Sequence, residues 1–474
     1  MSQPPNILFV TTDQQRFDTI AALGNRHIHT PHLNWLVDEG ITFTRCYADS
    51  PVCVPSRATI MSGRHGYRSG LTGNNERGFS DAMSGGPTMP ELLTANGYQT
   101  RAQGKMHFHP VRCNYGFEHM ELPLDFYRDQ LSNRSRGLSK QHGIGENEVS
   151  PVISTVPETE SLTYWTVQRS IEFLETRDET RPFFLWTSFA KPHPPFDPCA
   201  NYWELYRDRP VPEPVVGDWS ADYDDVPNPL RGPSHFLAKT HRLSAEQIAD
   251  VRRAYYACIT QIDYQLGLLF ASLQSQGLLE TTWIIFTSDH GDLLGDHHLG
   301  AKSQFLEGSA HVPMIIRPPF GWEGNRGQRC DQLVTLADVY PTVAALAGIE
   351  APAHLDGENL LGRLDATTDR TFYGQCDDRA FCVLDGDWKY LWFPQGGHEL
   401  LFDLGTDPYE RRALQPENHP GQYRHLRALL VAHLEESGSK FLKDGDPVTL
   451  PDSELPTTSW PGFIPLDAES DTLH

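Results

Sequence analysis

The chain has 474 residues, with 39 Lys and Arg against 62 Asp and Glu, for a formal net charge of -23. A chain of this length exceeds a single small core, so we expect one large domain and a smaller one. The negative charge argues against nonspecific binding to nucleic acid or to an anionic membrane. Any anion site must therefore be built locally from Arg, Lys, His or metal.

The first residues and the cysteines bear on localisation. The stretch before the first predicted strand is short and polar, and no apolar run is long enough for a signal peptide or for a bilayer span. The eight cysteines show neither metal-type spacing nor the framework of a small disulfide scaffold. We therefore expect a cytoplasmic protein with reduced thiols and no membrane partner.

The first predicted element is a buried parallel strand over residues 6–12, a continuous apolar and β-branched run. It ends at Asp13 and Gln14. In an open α/β sheet, ligands bind at the carboxyl ends of the strands, so strand geometry places Asp13 at the expected site. The alternative is that Asp13 only caps the helix that follows.

Residues 50–64 hold the stretch on which the functional prediction depends. Pro55 suits a first helical turn, so Cys53 should lie at a helix N-terminus, where backbone N–H groups and the helix dipole favour negative charge. Arg57, one turn later, would add a bidentate clamp for oxyanions. The alternative is a buried structural cysteine. In the glycine-rich loop that follows, Asn74 or Asn75 is a candidate substrate ligand, with Asn74 preferred, although a role in the turn fits at least as well.

Two further predicted strands end in cationic or titratable side chains. The strand over residues 98–103 is followed by Lys105 and His107, a cation and a titratable donor that suit an anionic transition state. The strand over residues 182–190 is followed by His193, which lies between prolines. Because prolines keep the backbone extended, we expect His193 to be displayed rather than packed.

A fourth strand, over residues 282–288, ends at Asp289 and His290. Together with Asp13 and Gln14, these residues offer a mixed oxygen and nitrogen ligand set for one divalent cation. Two converging carboxylates would otherwise repel each other, and a metal ion removes that repulsion. The sequence therefore predicts a metal site between the first and fourth strands.

The residues after this strand are harder to interpret. Asp296, His297 and His298 lie in residues 293–299, which we predict to be a surface loop and not a second group of metal ligands. Lys302 is placed where an ammonium would stabilise a leaving oxygen, but position alone does not separate that role from a solvated lysine.

The pattern predicts an α/β fold: a large, mostly parallel sheet sandwiched by helices, followed by a smaller C-terminal α+β domain with a short antiparallel sheet and one helix. We expect irregular insertions at residues 113–156 and 198–241 to cover the pocket, and a helix at residues 333–347 to close the large domain. The predicted boundaries are 1–370 for the catalytic domain, 371–446 for the small domain and 447–474 for a tail. The apolar side chains of this tail, such as Trp460, suggest packing on this or a neighbouring subunit, and hence a possible homo-oligomer.

Several of these motifs resemble those of the type I sulfatases of the alkaline phosphatase superfamily. The resemblance is carried by Cys53-x-Pro55-x-Arg57, by the Ser-Gly-Arg that follows, by the Gly-Lys-x-His that ends at His107, and by the paired strand ends. It implies an alkaline phosphatase-like fold and cleavage of a small-molecule sulfate monoester. It also implies that a formylglycine-generating maturation enzyme oxidises Cys53 to formylglycine, whose hydrate is the nucleophile.

The resemblance implies a role for each candidate. One divalent cation, Ca²⁺ or Mn²⁺, would be held by Asp13, Gln14, Asp289, His290 and the modified Cys53. Arg57 and Lys105 would hold the sulfuryl oxygens, and His193 and Lys302 would serve the leaving group. We assign His107 as the base that releases sulfate from the intermediate.

This chain departs from the commonest sulfatase pattern at two positions. Gln14 stands where many members have Asp, and His290 stands where many have Asn, which shifts the expected preference from calcium towards manganese. The same pairing occurs in the related phosphonate monoester hydrolases and phosphodiesterases, which are the second candidate class. A non-catalytic anion-binding homologue is a third. A cofactor-independent phosphoglycerate mutase would require Ser or Thr as nucleophile and a second metal set, and neither is evident.

Overall fold

The apolar runs form an eight-stranded sheet. The computed structural model describes residues 4–75, 78–132, 144–145, 147–236, 238–364, 366 and 370–455. The strands are β1 (Asn6–Asp13), β2 (Ile41–Tyr47), β3 (Gln99–Gly104), β4 (His119–Glu121), β5 (Phe183–Pro192), β6 (Thr282–Ser288), β7 (His311–Arg317) and β8 (Gln328–Thr335). Their order is β4-β3-β5-β1-β6-β7-β2-β8. Only β7 runs antiparallel to its neighbours within this sheet, which confirms the mostly parallel sheet.

Helices cover both faces of the sheet. The α-helices of the described residues, of which α13 belongs to the C-terminal region, are α1 (Pro31–Glu39), α2 (Cys53–Ser62), α3 (Gly66–Ser69), α4 (Phe79–Met83), α5 (Met89–Ala95), α6 (Pro123–Ser132), α7 (Leu162–Thr176), α8 (Ala200–Glu204), α9 (Asn228–Phe236), α10 (Ala245–Ser275), α11 (Glu307–Ala310), α12 (Val339–Leu346) and α13 (Pro420–Glu436). Along β1, Ile7 and Phe9 join the core under α2, α5 and α12, whereas Leu8 and Val10 join the core under α7 and α10. Alternate side chains of one strand therefore fill two separate cores, as expected for a sandwiched sheet.

The strand register brings the predicted site residues to one edge of the sheet. In the parallel pairs of β1, Thr12 lies opposite Ser288 of β6 and Asp13 lies opposite Pro192 of β5. Gly104 of β3 lies opposite Ser188 of β5. Because parallel strands end at the same edge, the residues that follow β1, β3, β5 and β6 converge there.

A second sheet forms the C-terminal region. It contains β9 (Phe372–Cys376), β10 (Ala380–Asp385), β11 (Trp388–Phe393) and β12 (His398–Asp403), all antiparallel, and α13 packs on β10 and β11. A hairpin of β13 (Leu442–Lys443) and β14 (Asp446–Pro447) follows. This arrangement confirms the short antiparallel sheet with one helix. The apolar part of the predicted tail, including Trp460, lies outside the described residues. No helix in the described part of the chain has both the length and the apolarity needed to cross a bilayer.

Three predictions of local structure were wrong. The predicted helix over residues 333–347 begins as β8, which pairs with β2, and becomes helical only at Val339. An apolar run does not show where a strand gives way to a helix, so pairing with β2 decided the boundary. The insertions predicted to be irregular contain β4 and α6 in one case and α8 and α9 in the other.

The stretch predicted as a surface loop, residues 293–299, is largely buried. Asp296 accepts hydrogen bonds from Arg16 Nη1 at 2.7 Å and from Arg252 Nη2 at 2.5 Å, and His297 Nδ1 lies 2.8 Å from the hydroxyl of Ser220. The polar sequence indicated solvent, but guanidinium groups from distant segments compensate the buried carboxylate. His298 is held by the carbonyl of Ser220 at 3.1 Å.

Candidate active site

Cys53 begins helix α2. Val52, its N-cap, is extended, and the helix ends at Gly63, whose φ of 64° places it in the left-handed region. Cys53 is only 2% exposed, and its Sγ lies 3.2 Å from Nε2 of His290 and 3.9 Å from Oδ1 of Asp13. The expected position at a helix N-terminus is therefore observed, with the thiol directed at the end of the sheet.

Four potential metal ligands meet at this point. The ligand atoms of Asp13, Cys53, Asp289 and His290 all lie within 4.8 Å of one another, and all four residues are buried. Nδ1 of His290 lies 2.9 Å from the carbonyl of Gly291, so Nδ1 carries the proton and the lone pair of Nε2 is available. That nitrogen lies 3.8 Å from Oδ1 of both aspartates, and burial lowers the pKa of His290, which favours the neutral ligand form. The donor set fits one divalent cation.

Gln14 is held beside this group through its backbone and its amide. Its φ is 71°, its N–H donates to Oδ1 of Asp289 at 3.0 Å, and its carbonyl accepts from the hydroxyl of Tyr255 at 2.6 Å. Its Oε1 accepts a hydrogen bond from Lys302 Nζ at 2.6 Å, and its Nε2 donates to Oδ2 of Asp292. The orientation of the amide is thus set by Lys302, which donates to its oxygen, and by Asp292, which accepts from its nitrogen.

Two buried cations balance the carboxylates. Arg57 donates from Nε to Oδ2 of Asp289 at 2.9 Å, and its Nη2 lies 3.5 Å from Oδ2 of Asp13. Lys105 Nζ lies 2.9 Å from the same oxygen of Asp13. Burial raises the pKa of Asp13, but the charges of Lys105 and Arg57 outweigh it and hold that pKa well below its usual range. Asp13 is therefore an anion throughout the physiological range.

Lys302 and His193 form a donor–acceptor pair. Nδ1 of His193 donates to the carbonyl of Pro194 at 2.8 Å, so Nε2 accepts from Lys302 Nζ at 2.9 Å. Burial and the neighbouring Lys302 lower the pKa of His193 well below its ordinary value, so the imidazole is neutral. His193 is only 7% exposed, so the expectation of a displayed side chain was wrong. Lys302, whose role position alone left undecided, contacts both Gln14 and His193.

Two candidates lie at the margin of this arrangement. His107 is half-buried, with a φ of 55°, two residues beyond Lys105. Asn74 is exposed, and its Oδ1 accepts the backbone N–H of Val54 at 3.1 Å, which satisfies the first turn of α2. The catalytic role of His107 and the substrate-binding role of Asn74 remain predictions.

Sequence reasoning missed two residues that support the site. Asp292 is fully buried against Gln14, and its position three residues after Asp289, at the same strand end, was the available signal. Ser188, within β5, accepts a hydrogen bond from Arg57 Nη1 at 3.0 Å and donates one to the carbonyl of Lys105. No local signal marks Ser188, because its partners come from other elements.

Comparisons with known proteins agree with this geometry. The family model described as Sulfatase matches residues 5–349. The arylsulfatase of Clostridium perfringens (strain 13 / Type A) is 33% identical over 489 residues, with 94% of this chain and 98% of that protein covered. The choline-sulfatase of Rhizobium meliloti (strain 1021) is 30% identical, with 86% and 81% covered. The crystal structure of the phosphonate monoester hydrolase of Agrobacterium radiobacter matches with a TM-score of 0.73 and 24% identity over 94% of this chain and 99% of that one. At this identity, that likeness shows the fold alone.

Proposed function

Since this chain belongs to the sulfatase family and is a hydrolase acting on sulfate esters, we propose that it cleaves a sulfate monoester with a formylglycine made from Cys53 and one bound divalent cation. The observation that carries the proposal is the meeting of Cys53 Sγ with the ligand atoms of Asp13, Asp289 and His290 within 4.8 Å. A buried thiol with only a structural role would have no need of two carboxylates and an imidazole at this distance.

Five residues would hold the cation: Asp13, Gln14, Asp289, His290 and the modified Cys53. When bound, a divalent cation supplies Lewis-acid stabilisation of anionic oxygens and lowers the pKa of a hydroxyl group. The amide of Gln14 removes a negative charge and the imidazole of His290 replaces a harder oxygen ligand, so we propose manganese ahead of calcium.

The motif around Cys53 supports its oxidation. The three residues that the maturation enzyme of this family reads, Cys53, Pro55 and Arg57, are all present. The hydrated aldehyde offers one hydroxyl to attack sulfur and a second whose deprotonation releases sulfate and restores the aldehyde. A formylglycine-generating enzyme is therefore the proposed maturation partner.

The remaining side chains have two roles: some stabilise negative charge and others transfer protons. Arg57 and Lys105 provide fixed positive charge for the non-bridging oxygens of the sulfuryl group. Lys302 holds a proton that His193 orients, and this proton passes to the oxygen of the departing alcohol as the S–O bond breaks. We propose that His107 takes the proton from the second hydroxyl.

One observation favours a second candidate, hydrolysis of phosphonate monoesters or phosphodiesters. Gln14 and His290 match the pairing that we associate with that branch, and a phosphonate monoester hydrolase shares the fold. The family match and the arylsulfatase relative over almost the whole chain support the sulfate ester instead. The names of the arylsulfatase and choline-sulfatase relatives refer to esters of different alcohols. The kinetic panel therefore has to identify the alcohol part of the substrate of this protein.

The test is a kinetic panel of aryl sulfate, alkyl sulfate, sugar sulfate, aryl phosphonate and phosphodiester under defined Mn²⁺ or Ca²⁺. Mass spectrometry of the Cys53 peptide first establishes the aldehyde content. We expect the highest kcat/KM for a sulfate ester. In Cys53→Ala this kcat/KM should fall at least about 10⁴-fold. In Cys330→Ala, which alters a thiol on strand β8, it should change little. A phosphonate preference of orders of magnitude would refute the sulfatase assignment. No turnover by the aldehyde form with metal present would support the non-catalytic reading.

A further inference from the structure

The orientation of the Gln14 amide is decided by two neighbours. An amide can present either its oxygen or its nitrogen in a given direction. The ammonium of Lys302 only donates hydrogen bonds, so it requires Oε1, and an ionised Asp292 only accepts them, so it requires Nε2. Both contacts therefore select the same one of the two orientations.

Asp292 is itself fixed in place. Its Oδ1 accepts the backbone N–H groups of Leu294 at 2.8 Å and Ala301 at 3.1 Å, and the residue is fully buried. Rotating the carboxylate would break both bonds, which is costly for a fully buried group. Oδ2 is therefore the oxygen that remains for Gln14.

We propose that Asp292 is a positioning residue of the cation site, which holds the Gln14 amide so that its oxygen is presented to the cation. The inference rests on the proposed function, because it assumes that Gln14 is a ligand. With the opposite orientation, the N–H groups of Gln14 would face the ammonium of Lys302 and its oxygen would face the carboxylate of Asp292, and both contacts would be repulsive. Asp292 also places a negative charge behind a neutral ligand.

The substitution Asp292→Asn tests this role because the structure dictates how it would act. Oδ1 of the asparagine retains the two backbone N–H bonds, so its amide nitrogen faces Gln14 and requires Oε1 of that residue, which Lys302 also requires. No orientation of the Gln14 amide then satisfies both neighbours, so its oxygen is no longer held towards the cation. We expect the dissociation constant for Mn²⁺, measured by titration calorimetry of protein dialysed against EDTA, to rise about 10- to 100-fold.

A matched control separates this effect from the cost of altering any buried aspartate. Asp263 is also fully buried, and it accepts the backbone N–H groups of His32 at 3.1 Å and Leu33 at 2.7 Å, away from the site. Asp263→Asn should lower the melting temperature and leave the Mn²⁺ dissociation constant within about two-fold of wild type.

A second substitution provides the rescue that a purely structural role would not show. In the double variant Gln14→Glu with Asp292→Asn, the new carboxylate accepts from both the asparagine and Lys302, and the net charge equals that of wild type. We expect its Mn²⁺ dissociation constant to return to within a few-fold of wild type. Gln14→Glu alone places two carboxylates in contact and should lower the melting temperature.

The outcomes separate the inference from the proposed function. Wild-type affinity in Asp292→Asn, or a double variant that binds no better than Asp292→Asn, would overturn the positioning role even if the protein hydrolyses sulfate esters. Weaker Mn²⁺ binding in Asp292→Asn and recovered binding in the double variant would support the positioning role of Asp292, even if no ester in the panel is turned over.

Discussion

Sγ of Cys53 lies 3.2 Å from Nε2 of His290, although 237 residues separate them in the chain. The contact exists because the N-terminus of α2 and the end of β6 meet at one edge of the sheet. The atom that residue 53 presents therefore lies within the proposed ligand set, where a change in its chemical state is expected to change what that set binds.

Oxidation of Cys53 should change the metal selectivity of the protein. A thiolate is a soft ligand that favours zinc, whereas the hydrated aldehyde presents oxygen. We expect protein produced without the maturation enzyme to bind Zn²⁺ more tightly relative to Mn²⁺ than the aldehyde form does. Competition calorimetry on both forms measures the ratio, and Cys53→Ala serves as the reference without either donor. An unchanged ratio would place residue 53 outside the ligand set.

Arg57→Lys should lower the free energy of unfolding, and bound metal should restore part of this loss. Lysine keeps the positive charge but cannot donate hydrogen bonds to Asp289, Asp13 and Ser188 at the same time, as the guanidinium does. We expect a loss of about 2–4 kcal/mol in the free energy of unfolding, measured by urea denaturation after EDTA treatment.

Saturating Mn²⁺ should recover part of the stability lost in Arg57→Lys, because the cation compensates the same carboxylates. Arg370→Lys is the matched control, since Arg370 pairs with the buried Asp338 outside the site, at 2.8 Å. Its loss of stability should be insensitive to Mn²⁺. Equal recovery in both variants would contradict the account of Arg57.

Lys302→Ala should lower kcat/KM most for substrates with poor leaving groups. The Lys302–His193 pair can protonate the departing oxygen, which an alkoxide requires and a nitrophenolate does not. We expect kcat/KM to fall about 10²- to 10⁴-fold for an alkyl sulfate and about 10-fold or less for 4-nitrophenyl sulfate. A series of aryl sulfates of increasing leaving-group pKa measures the slope, and equal losses across the series would remove Lys302 from this role.

His107→Ala should separate cleavage of the ester from release of sulfate. If His107 removes the proton that initiates release, its loss leaves the first step intact and slows the second. We expect a burst of alcohol equal to the aldehyde content, a steady-state rate lowered by about 10²-fold or more, and a sulfated enzyme in the intact mass spectrum. Slow turnover without a burst would place His107 elsewhere in the mechanism.

His433 should make the protein less stable in mild acid. Burial against Tyr67 and Tyr373 lowers the pKa of His433 to about 4. Between about pH 6.5 and pH 4 the unfolded chain binds the proton that the folded state excludes, so the free energy of unfolding falls as the pH falls. This group accounts for a loss of about 2 kcal/mol between pH 7 and pH 5.

His433→Phe keeps the stacked ring and removes the titration, so its free energy of unfolding should fall less between pH 7 and pH 5. Urea denaturation at both pH values measures the difference. Some dependence should remain, because the pKa of the buried His297 is also lowered, to about 4. A wild-type slope in His433→Phe would contradict the assignment.

Much of the fold followed from local pattern. Apolar and β-branched runs predicted β1, β5 and β6, because a strand buried on both faces requires such a sequence. Strand β8 and the burial of residues 293–299 were not predicted, because the first depends on pairing with β2 and the second on the guanidinium groups of Arg16 and Arg252.

The sequence by itself determined which chemical groups are available: a cysteine at a helix start, acids at two strand ends, a lysine after a third strand and a histidine after a fourth. Only the tertiary structure decided which atoms face one another. The protonated nitrogen of His290, the direction of the Gln14 amide and the pairing of His193 with Lys302 are set by hydrogen bonds. The last two join residues far apart in the chain, and such contacts arise only when the packed strands bring their ends to a common edge.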